Sequence, residues 1–243
     1  TASLSHPNTI RIFDFGRSGD DALFIVMEYL DGVNIKQWIQ ANGHFPPQQV
    51  MRLGIQLCGS LGEAHRKDLI HRDIKPGNIM LVTTPEDGLF TKLLDFGLVK
   101  NIEMSAELSQ TGSILGSPMY MSPEQIHGDE VDRRCDIYSL GLTMYYMLCG
   151  KAPYKEANIS GILSAQLFKT PVPLIEQNAL LESCPALNWI IETATRKKPE
   201  QRFQSVLQMK QALELAQQDG RSNLKLVNGI LFHKDVRVEG ASP

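Results

Sequence analysis

Residues 71–78 read His-Arg-Asp-Ile-Lys-Pro-Gly-Asn, and this run is the most specific pattern in the sequence. It fits the pattern H-R-D-x-K-x-x-N, whose five fixed positions would arise by chance in such a chain with a probability of roughly one in ten thousand. An Asp-Phe-Gly triplet begins at Asp95, and a Ser-Pro-Glu triplet ends at Glu124. The order and spacing of the three motifs predict that they belong to one site.

The patterns before and around these motifs predict a small sheet and a long helix. Residues 9–15 and 22–28 are β-branched and aromatic runs separated by a turn-rich spacer, which is typical of a β-hairpin. Residues 46–65 carry apolar side chains at helical spacing after two prolines, which indicates an amphipathic helix. The apolar runs 78–82 and 92–94 are predicted to pair as a second hairpin.

The second half of the chain is predicted to be helical after one long loop. From Phe96 to residue 117 the chain is rich in Ser, Thr and Gly and too long for an ordinary connection, so it is a candidate functional loop. The predicted helices beyond it are residues 135–148, 160–168, 187–195 and 205–217. The tail has weak strand character around residues 224–232 without a clear partner and is interpreted as an appendix or linker.

On these motifs the chain resembles the protein kinase family, specifically the eukaryotic-like serine/threonine kinases of bacteria, over roughly residues 4–215. The resemblance implies an α+β, protein-kinase-like fold with a partial β-sheet N-terminal lobe and a mostly helical C-terminal lobe. We expect a remnant of the N-lobe and the hinge at residues 1–30, the C-lobe at 31–217 and a tail or linker at 218–243. The implied reaction is transfer of the γ-phosphoryl group of ATP to Ser or Thr hydroxyls of a protein substrate.

The resemblance assigns chemical roles to four residues of the first two motifs. Asp73 would accept the proton of the attacking hydroxyl, and Lys75 would neutralise charge on the transferred phosphoryl group. Asn78 would hold one Mg²⁺, and Asp95 would hold Mg²⁺ that bridges the ATP phosphates. A lysine at position 75 indicates serine/threonine rather than tyrosine specificity.

A nucleotide pocket is also implied by the resemblance, at the end of the first hairpin. Its expected lining is Met27 as gatekeeper, the backbone of Glu28 and of Leu30 facing adenine, Asn34 near the ribose, and Met80 and Leu94 as the adenine floor. Core packing is the default interpretation of apolar residues, so the apolar part of this pocket depends on the resemblance alone.

Other positions match the supports of the family's active site. The hydroxyl of Ser117 would bond Asp73 and Lys75, and Glu124 would pair with Arg202. Asp136 would anchor the catalytic loop from beneath, and His71 would be a buried packing residue. We interpret His71 as scaffold rather than as a metal ligand because no further His, Cys or carboxylate pattern completes a site around it.

Regulation by phosphorylation is implied by Arg72, which directly precedes Asp73. In the family such an arginine accompanies a phosphate–guanidinium contact with the long loop. Thr111 and then Ser109 are the predicted phosphosites, because both lie shortly before Ser117 in the Ser- and Thr-rich segment. The ordinary alternative for such a cluster is a solvated loop without regulatory function.

Three elements that the family needs are absent from the 243 residues: a Gly-rich loop, a strand lysine and a helix glutamate. The sequence is therefore either part of an ordinary kinase, or a natural pseudokinase or scaffold without a nucleotide clamp. The intact Asp73, Lys75, Asn78 and Asp95 favour the first interpretation. As an isolated polypeptide, the chain is expected to be poorly soluble and nearly inactive. A metal-dependent phosphatase or nuclease would need further ligand residues that the sequence does not offer.

Charge and composition limit the classes of partner and the cellular setting that we expect for this chain. A formal net charge of −3 and a pI near 6.1 argue against general binding of nucleic acid, because that needs a concentrated basic face. The four cysteines are far apart, and the longest apolar run is shorter than a membrane span, so we expect a cytoplasmic setting and no membrane segment in this chain. A membrane anchor beyond Pro243 and a homodimer for autophosphorylation stay open.

Overall fold

The computed structural model describes residues 4–19, 22–84, 88–95, 118–178, 184–218, 224–227 and 230–233. Ser109, Thr111 and Ser117 of the predicted functional loop lie outside these residues, as does the Phe-Gly pair of the second motif. The described strands are β1 (Ile12–Arg17), β2 (Leu23–Met27), β3 (Gly32–Asn34), β4 (Ile79–Thr84), β5 (Gly88–Leu93), β6 (Leu224–Val227) and β7 (Ile230–His233). The described helices are α1 (Ile35–Asn42), α2 (Pro47–Arg66), α3 (Pro123–His127), α4 (Arg134–Cys149), α5 (Ile159–Phe168), α6 (Leu174–Gln177), α7 (Pro185–Ala194) and α8 (Val206–Gln218).

The strands form small antiparallel sheets. β1 pairs with β2, which confirms the predicted hairpin, but β1 begins later than predicted and continues to Arg17, opposite Leu23, within the predicted spacer. β4 lies between β3 and β5 in a three-stranded sheet. Gly32 is required at the start of β3, because a Cβ atom there would collide with the carbonyl oxygen of Leu81 on β4.

Two strand predictions need correction. The second hairpin is longer than predicted, because its ladder continues through Thr83, opposite Leu89, to Thr84, opposite Gly88. The tail strands were predicted to lack a partner, which is wrong, since β6 and β7 pair with each other in an antiparallel register. The two residues between them are Asn and Gly in the sequence, a pair that favours tight hairpin turns.

The helices surround α4, which is the centre of the core. All of its residues except Arg134, Tyr146 and Cys149 are buried, which explains its almost uniformly apolar sequence. α2 and α7 pack against it, and Gly141 permits the contact with α7 because a Cβ atom there would lie 2.8 Å from that of Ala194. The predicted helices of this half match α4, α5, α7 and α8 to within two residues at each end.

A clasp joins the first described residues to α2. Glu63 of α2 accepts hydrogen bonds from the backbone N–H of Ser5 (3.0 Å) and of His6 (2.7 Å) and pairs with Lys67 at 2.9 Å. Burial alone would raise the pKa of Glu63, but these donors lower it to about 2. The clasp leads the chain to β5, where Ile10 N–H donates to the carbonyl of Leu93 at 2.9 Å.

Within the ranges described, no helix combines the length and the apolar character that a bilayer crossing requires.

Candidate active site

The motif loop between α2 and β4 rests on one buried carboxylate. Asp136, in the first turn of α4, is fully buried. Its Oδ2 accepts from His71 N–H at 2.9 Å and from His65 Nε2 at 2.8 Å, and its Oδ1 accepts from Arg72 N–H at 2.8 Å. Burial would raise the pKa of Asp136, but the hydrogen bond from His65 and the backbone N–H groups lower it, so the carboxylate stays charged.

His71 connects this loop to the segment of the second motif. Its Nε2 donates to the carbonyl oxygen of Leu94 at 2.7 Å, and its Nδ1 accepts from Asp73 N–H at 3.3 Å. The two contacts require a neutral ring protonated on Nε2. Burial lowers the pKa of His71, which favours that neutral form.

The backbone before Asp95 is held on both sides. Leu94 N–H donates to the carbonyl of Asn78 at 2.9 Å, while its own carbonyl accepts from His71. Asp95 then adopts a left-handed conformation with φ of 48°, and Arg72 does so with φ of 63°. Such conformations cost on the order of 1–3 kcal/mol each and persist where surrounding contacts fix them. These contacts place Asp95, the first residue of the second motif, beside the first motif.

Three polar side chains converge within the loop. Lys75 Nζ lies 2.8 Å from Asp73 Oδ2, and Asn78 Nδ2 donates to the same oxygen at 3.1 Å and to the Asp73 carbonyl at 2.9 Å. Ile74, between the first two, is buried and pins the backbone, and a 3₁₀ turn over Pro76–Asn78 brings the asparagine back over the carboxylate. The result is a half-buried carboxylate with a cation and an amide on one oxygen.

The oxygen donors of this cluster suit a small, hard cation. The amide nitrogen of Asn78 is engaged with Asp73, so its carbonyl oxygen is the atom left for a ligand. Asp95 is exposed and offers a second carboxylate beside this cluster. In the described part of the chain, no three His, Cys, Asp or Glu residues group closely enough to hold a metal ion by themselves. One carboxylate and one amide fit Mg²⁺, which usually shares its coordination with water and substrate phosphates.

Comparison with known proteins decides the family. The protein kinase domain family model matches residues 1–215. The chain belongs to the protein kinase family. It is 33% identical over 212 residues to the serine/threonine-protein kinase PknB of Mycobacterium leprae, which covers 86% of this chain and 33% of the relative. It is 34% identical over 221 residues to the serine/threonine-protein kinase pkn3 of Myxococcus xanthus, covering 90% of this chain and 40% of the relative.

Solved kinase structures agree with the fold. The crystal structure of the Mycobacterium tuberculosis PknI kinase domain is similar, with a TM-score of 0.67, 26% sequence identity, and coverage of 88% of this chain and 74% of that one. The expected family and its α+β, kinase-like fold are thus confirmed. This chain spans a third to two fifths of the length of the two curated relatives, PknB and pkn3.

The residues predicted to bind nucleotide surround the end of β2 and the sheet of β3, β4 and β5. Met27 ends β2 and is 41% exposed, and Leu30 is half-buried beyond it. Met80 of β4 lies in register between Asn34 and Lys92. The Asn34 side chain caps α1, accepting from Gln37 N–H at 2.9 Å, and Leu94 follows β5 as a half-buried residue.

Glu28, predicted to face adenine through its backbone, is held by its side chain. Its Oε1 accepts from Lys92 Nζ at 2.6 Å and from Arg11 N–H at 2.8 Å. Its own N–H donates to the Arg11 carbonyl at 2.9 Å. Burial would raise the pKa of Glu28, but the Lys92 ammonium and the Arg11 N–H lower it. The segment after β2 is therefore fixed to Arg11, the residue before β1, and to β5.

The third motif is locked to the helical body by a buried ion pair. Arg202 Nη1 lies 2.6 Å from Glu124 Oε1, and Nη2 lies 2.8 Å from Oε2. The remaining donors of the guanidinium reach the carbonyl oxygens of Arg134, Arg196 and Lys197. All five N–H groups of Arg202 are therefore used, as a buried guanidinium requires.

Arg72 is exposed, and its backbone N–H takes part in the hydrogen bonds around Asp136. Its carbonyl accepts from Gln125 Nε2 at 3.0 Å, while Gln125 Oε1 accepts from Ser122 N–H at 3.0 Å. The loop of the first motif is thereby connected to the start of α3. Ser109, Thr111 and Ser117, which the regulatory and substrate-loop predictions involve, lie outside the described residues.

Sequence reasoning missed three contributors to this site: His65, Lys92 and Gln125. His65 is a polar residue on the apolar stripe of α2, a signal that a buried partner was required. The Ser-x-x-Gln spacing from Ser122 to Gln125 is a capping-box pattern. Lys92 had no local signal, because its partner Glu28 is distant in sequence.

Proposed function

We propose that this chain is the catalytic portion of a serine/threonine protein kinase that transfers the γ-phosphoryl group of ATP to Ser or Thr hydroxyls of protein substrates. The observation that carries the proposal is the convergence of Lys75 and Asn78 on Asp73, above the buried Asp136. Family membership supports it. Phosphoryl transfer needs positioned groups and charge neutralisation more than covalent chemistry, and this cluster supplies both.

In the proposed reaction, Asp73 orients the acceptor hydroxyl and takes its proton through the carboxylate. Lys75, at 2.8 Å from that carboxylate, places positive charge where the transferred group passes. Asn78 and Asp95 would hold Mg²⁺, which when bound neutralises charge on the ATP phosphates. Glu28, Leu30, Met27, Asn34, Met80 and Leu94 would form the nucleotide side of the cleft.

The test is phosphate transfer from radiolabelled ATP by the complete gene product, with Asp73→Asn as the variant. We expect activity to fall at least about 100-fold, since a positioned base contributes that much or more. Asp129→Asn is the matched control, because Asp129 is an exposed carboxylate outside the three motifs. Equal activity of the Asp73 variant and the wild type would refute the proposed role.

Regulation through Arg72 is the finer part of the proposal. A phosphate on Thr111, or secondarily on Ser109, would pair with the exposed guanidinium of Arg72. We expect Thr111→Ala to lower activity several-fold and Arg72→Ala to make activity independent of phosphorylation at that position. Unchanged autophosphorylation and activity in Thr111→Ala would show that the assignment is wrong.

A scaffold without phosphate transfer is the second candidate, because the Gly-rich loop, strand lysine and helix glutamate are not among the 243 residues. Titration of the complete gene product with Mg·ATP separates the two candidates. A kinase binds the nucleotide and transfers phosphate in a manner that depends on Asp73. A scaffold binds it weakly or not at all.

A further inference from the structure

Two neighbouring hollows open on the helical body outside the candidate active site. Their volumes are about 440 and 460 Å³, which lies within the range of ligand pockets. Neither is lined by Asp73, Lys75, Asn78 or Asp95. Arg196 and Gln201 line both hollows, so they form a ridge between them.

The first hollow has an apolar floor. Its apolar lining comes from α4, α6, α7 and the proline-rich segment before α6: Tyr145, Pro171, Val172, Pro173, Leu174 and Ile191. The hydroxyl of Tyr145 donates to the carbonyl of Val172 at 3.0 Å, which holds the proline-rich wall against α4. Val172 keeps 41% of its surface exposed at the edge.

The second hollow is lined by an aromatic pair. Trp189 of α7 meets Phe203 edge to face, with ring centroids 5.6 Å apart. Trp189 is only partly buried, so its ring is available to a ligand. Gln208 of α8 and Thr193 of α7 complete the side away from the ridge.

Positive charge is concentrated on the ridge, at Arg196, and beside it in the first hollow, at Lys198. Arg196 and Lys198 are exposed, and among the residues described neither forms an ion pair. Lys197 also lines the first hollow, but its ammonium is turned to the hydroxyls of Tyr138 and Tyr154, at 3.0 and 2.8 Å. Glu192 is the acidic residue of the first lining. This local excess of positive charge stands on a chain whose formal net charge is −3.

The ridge is also rigid before any ligand arrives. Arg202 donates to the carbonyl of Arg196 at 2.7 Å and to that of Lys197 at 2.8 Å. Gln201 N–H donates to the carbonyl of Lys198 at 3.0 Å. Because the backbone is fixed, binding would order only the exposed side chains, which limits its entropic cost.

We propose that the two hollows and their ridge form one docking groove for an extended acidic segment of a partner protein. Apolar side chains of the segment would enter the hollows, and its carboxylates would meet Arg196 and Lys198. An extended peptide suits this layout because its side chains alternate in direction along the backbone. The proposal does not depend on phosphate transfer.

The test uses fluorescence anisotropy of labelled eight-residue peptides of Glu with one Leu and one Phe, placed two, three or four positions apart. They are titrated with the complete gene product and with its Arg196→Glu, Lys198→Glu double variant. The matched control is Arg52→Glu, Lys151→Glu, which makes the same charge change at exposed residues that line neither hollow. Thermal unfolding checks that each variant is folded.

We expect at least one spacing to bind, with affinity reduced tenfold or more in the double variant and less than twofold in the control. Peptides with Ser in place of Leu and Phe are expected to bind at least fivefold more weakly. Raising the salt concentration should weaken binding, since exposed charges are screened. The proposal is overturned if no spacing binds, if both double variants weaken binding equally, or if the Ser peptides bind as well as the originals.

Discussion

The catalytic loop and the β1–β2 hairpin are stabilised in opposite ways. The loop is fixed from below by Asp136, which is fully buried and accepts hydrogen bonds from His65 and from the backbone N–H groups of His71 and Arg72. The hairpin leaves large apolar side chains in solvent, with Phe13 and Phe15 61% and 54% exposed. None of its strand residues is buried, and it is tied to the larger body by polar contacts, such as that of Lys92 with Glu28 and the hydrogen bond from Ile10 N–H to the Leu93 carbonyl.

The difference separates the handling of the acceptor hydroxyl from the binding of the nucleotide, the two requirements of the proposed active site. The groups proposed to handle the acceptor hydroxyl take their geometry from buried contacts within this chain. The groups proposed to hold the nucleotide begin at the end of β2, next to the widely exposed apolar surface of the β1–β2 sheet, and such surface normally marks a place where other protein packs. Substitutions in the two regions should therefore differ in size and in what they change.

The largest expected effect is that of Asp136→Ala. Removing the carboxylate leaves buried N–H groups of His71 and Arg72 without an acceptor, so the free energy of unfolding should fall by about 3–5 kcal/mol. Urea denaturation measures this change. The exposed Asp129→Ala should change stability by less than about 0.5 kcal/mol. A similar value for both variants would show that the loop has another support.

Glu63→Gln should cause the second largest loss of stability, and the size of that loss should depend on pH. Because the pKa of Glu63 is lowered to about 2, its stabilisation is complete above the unfolded value near 4.5 and is lost as pH falls towards 2. We expect a loss of roughly 2 kcal/mol at pH 7 and a smaller loss at pH 3, measured by urea denaturation at both. An equal loss at the two pH values would contradict the ionised clasp.

Lys92→Met tests the nucleotide side. Without the 2.6 Å contact to Glu28, the segment after β2 loses one of its ties, so the KM for ATP should rise roughly fivefold while kcat changes less than twofold. Lys92→Arg is the conservative control and should keep most of the affinity for ATP, because it retains the positive charge next to Glu28. An effect on kcat alone would place the contribution of Lys92 elsewhere.

The smallest effect is expected on the face of the hairpin. Phe15→Ser should change the free energy of unfolding by less than about 0.5 kcal/mol, since the side chain is 54% exposed. The same change at the fully buried Phe45 should cost about 3–5 kcal/mol. Thermal unfolding of both variants checks the contrast. A large loss at Phe15 would mean that the hairpin has a core of its own.

Periodicity and motif spacing predict what depends on neighbours in sequence. The long helix over residues 46–65 and the hairpin of β1 and β2 follow from local patterns, and the structure agrees. Contacts between distant residues have no such pattern. The polar pair of Lys92 with Glu28, and the use of His65 beneath the loop, depend on which faces the folded chain brings together.

The site shows the same division. The cluster of Asp73, Lys75 and Asn78 is local, so its motif predicts that the side chains lie together. β6 and β7 pair although neither run by itself indicates a partner, and the one local signal for their pairing is the Asn-Gly pair between them in the sequence. The groove beside Arg196 has no sequence signature, since its walls come from four separate helices and two connections.

The ion pair of Glu124 with Arg202 also bears on the order in which the chain is made. Its two residues are 78 positions apart, so during synthesis Glu124 leaves the ribosome well before the cation that neutralises it. Until Arg202 emerges, α3 cannot settle against the body without burying a bare carboxylate. A shortened version ending before Arg202 would stay in that condition permanently, so the smallest piece able to fold must extend past this arginine.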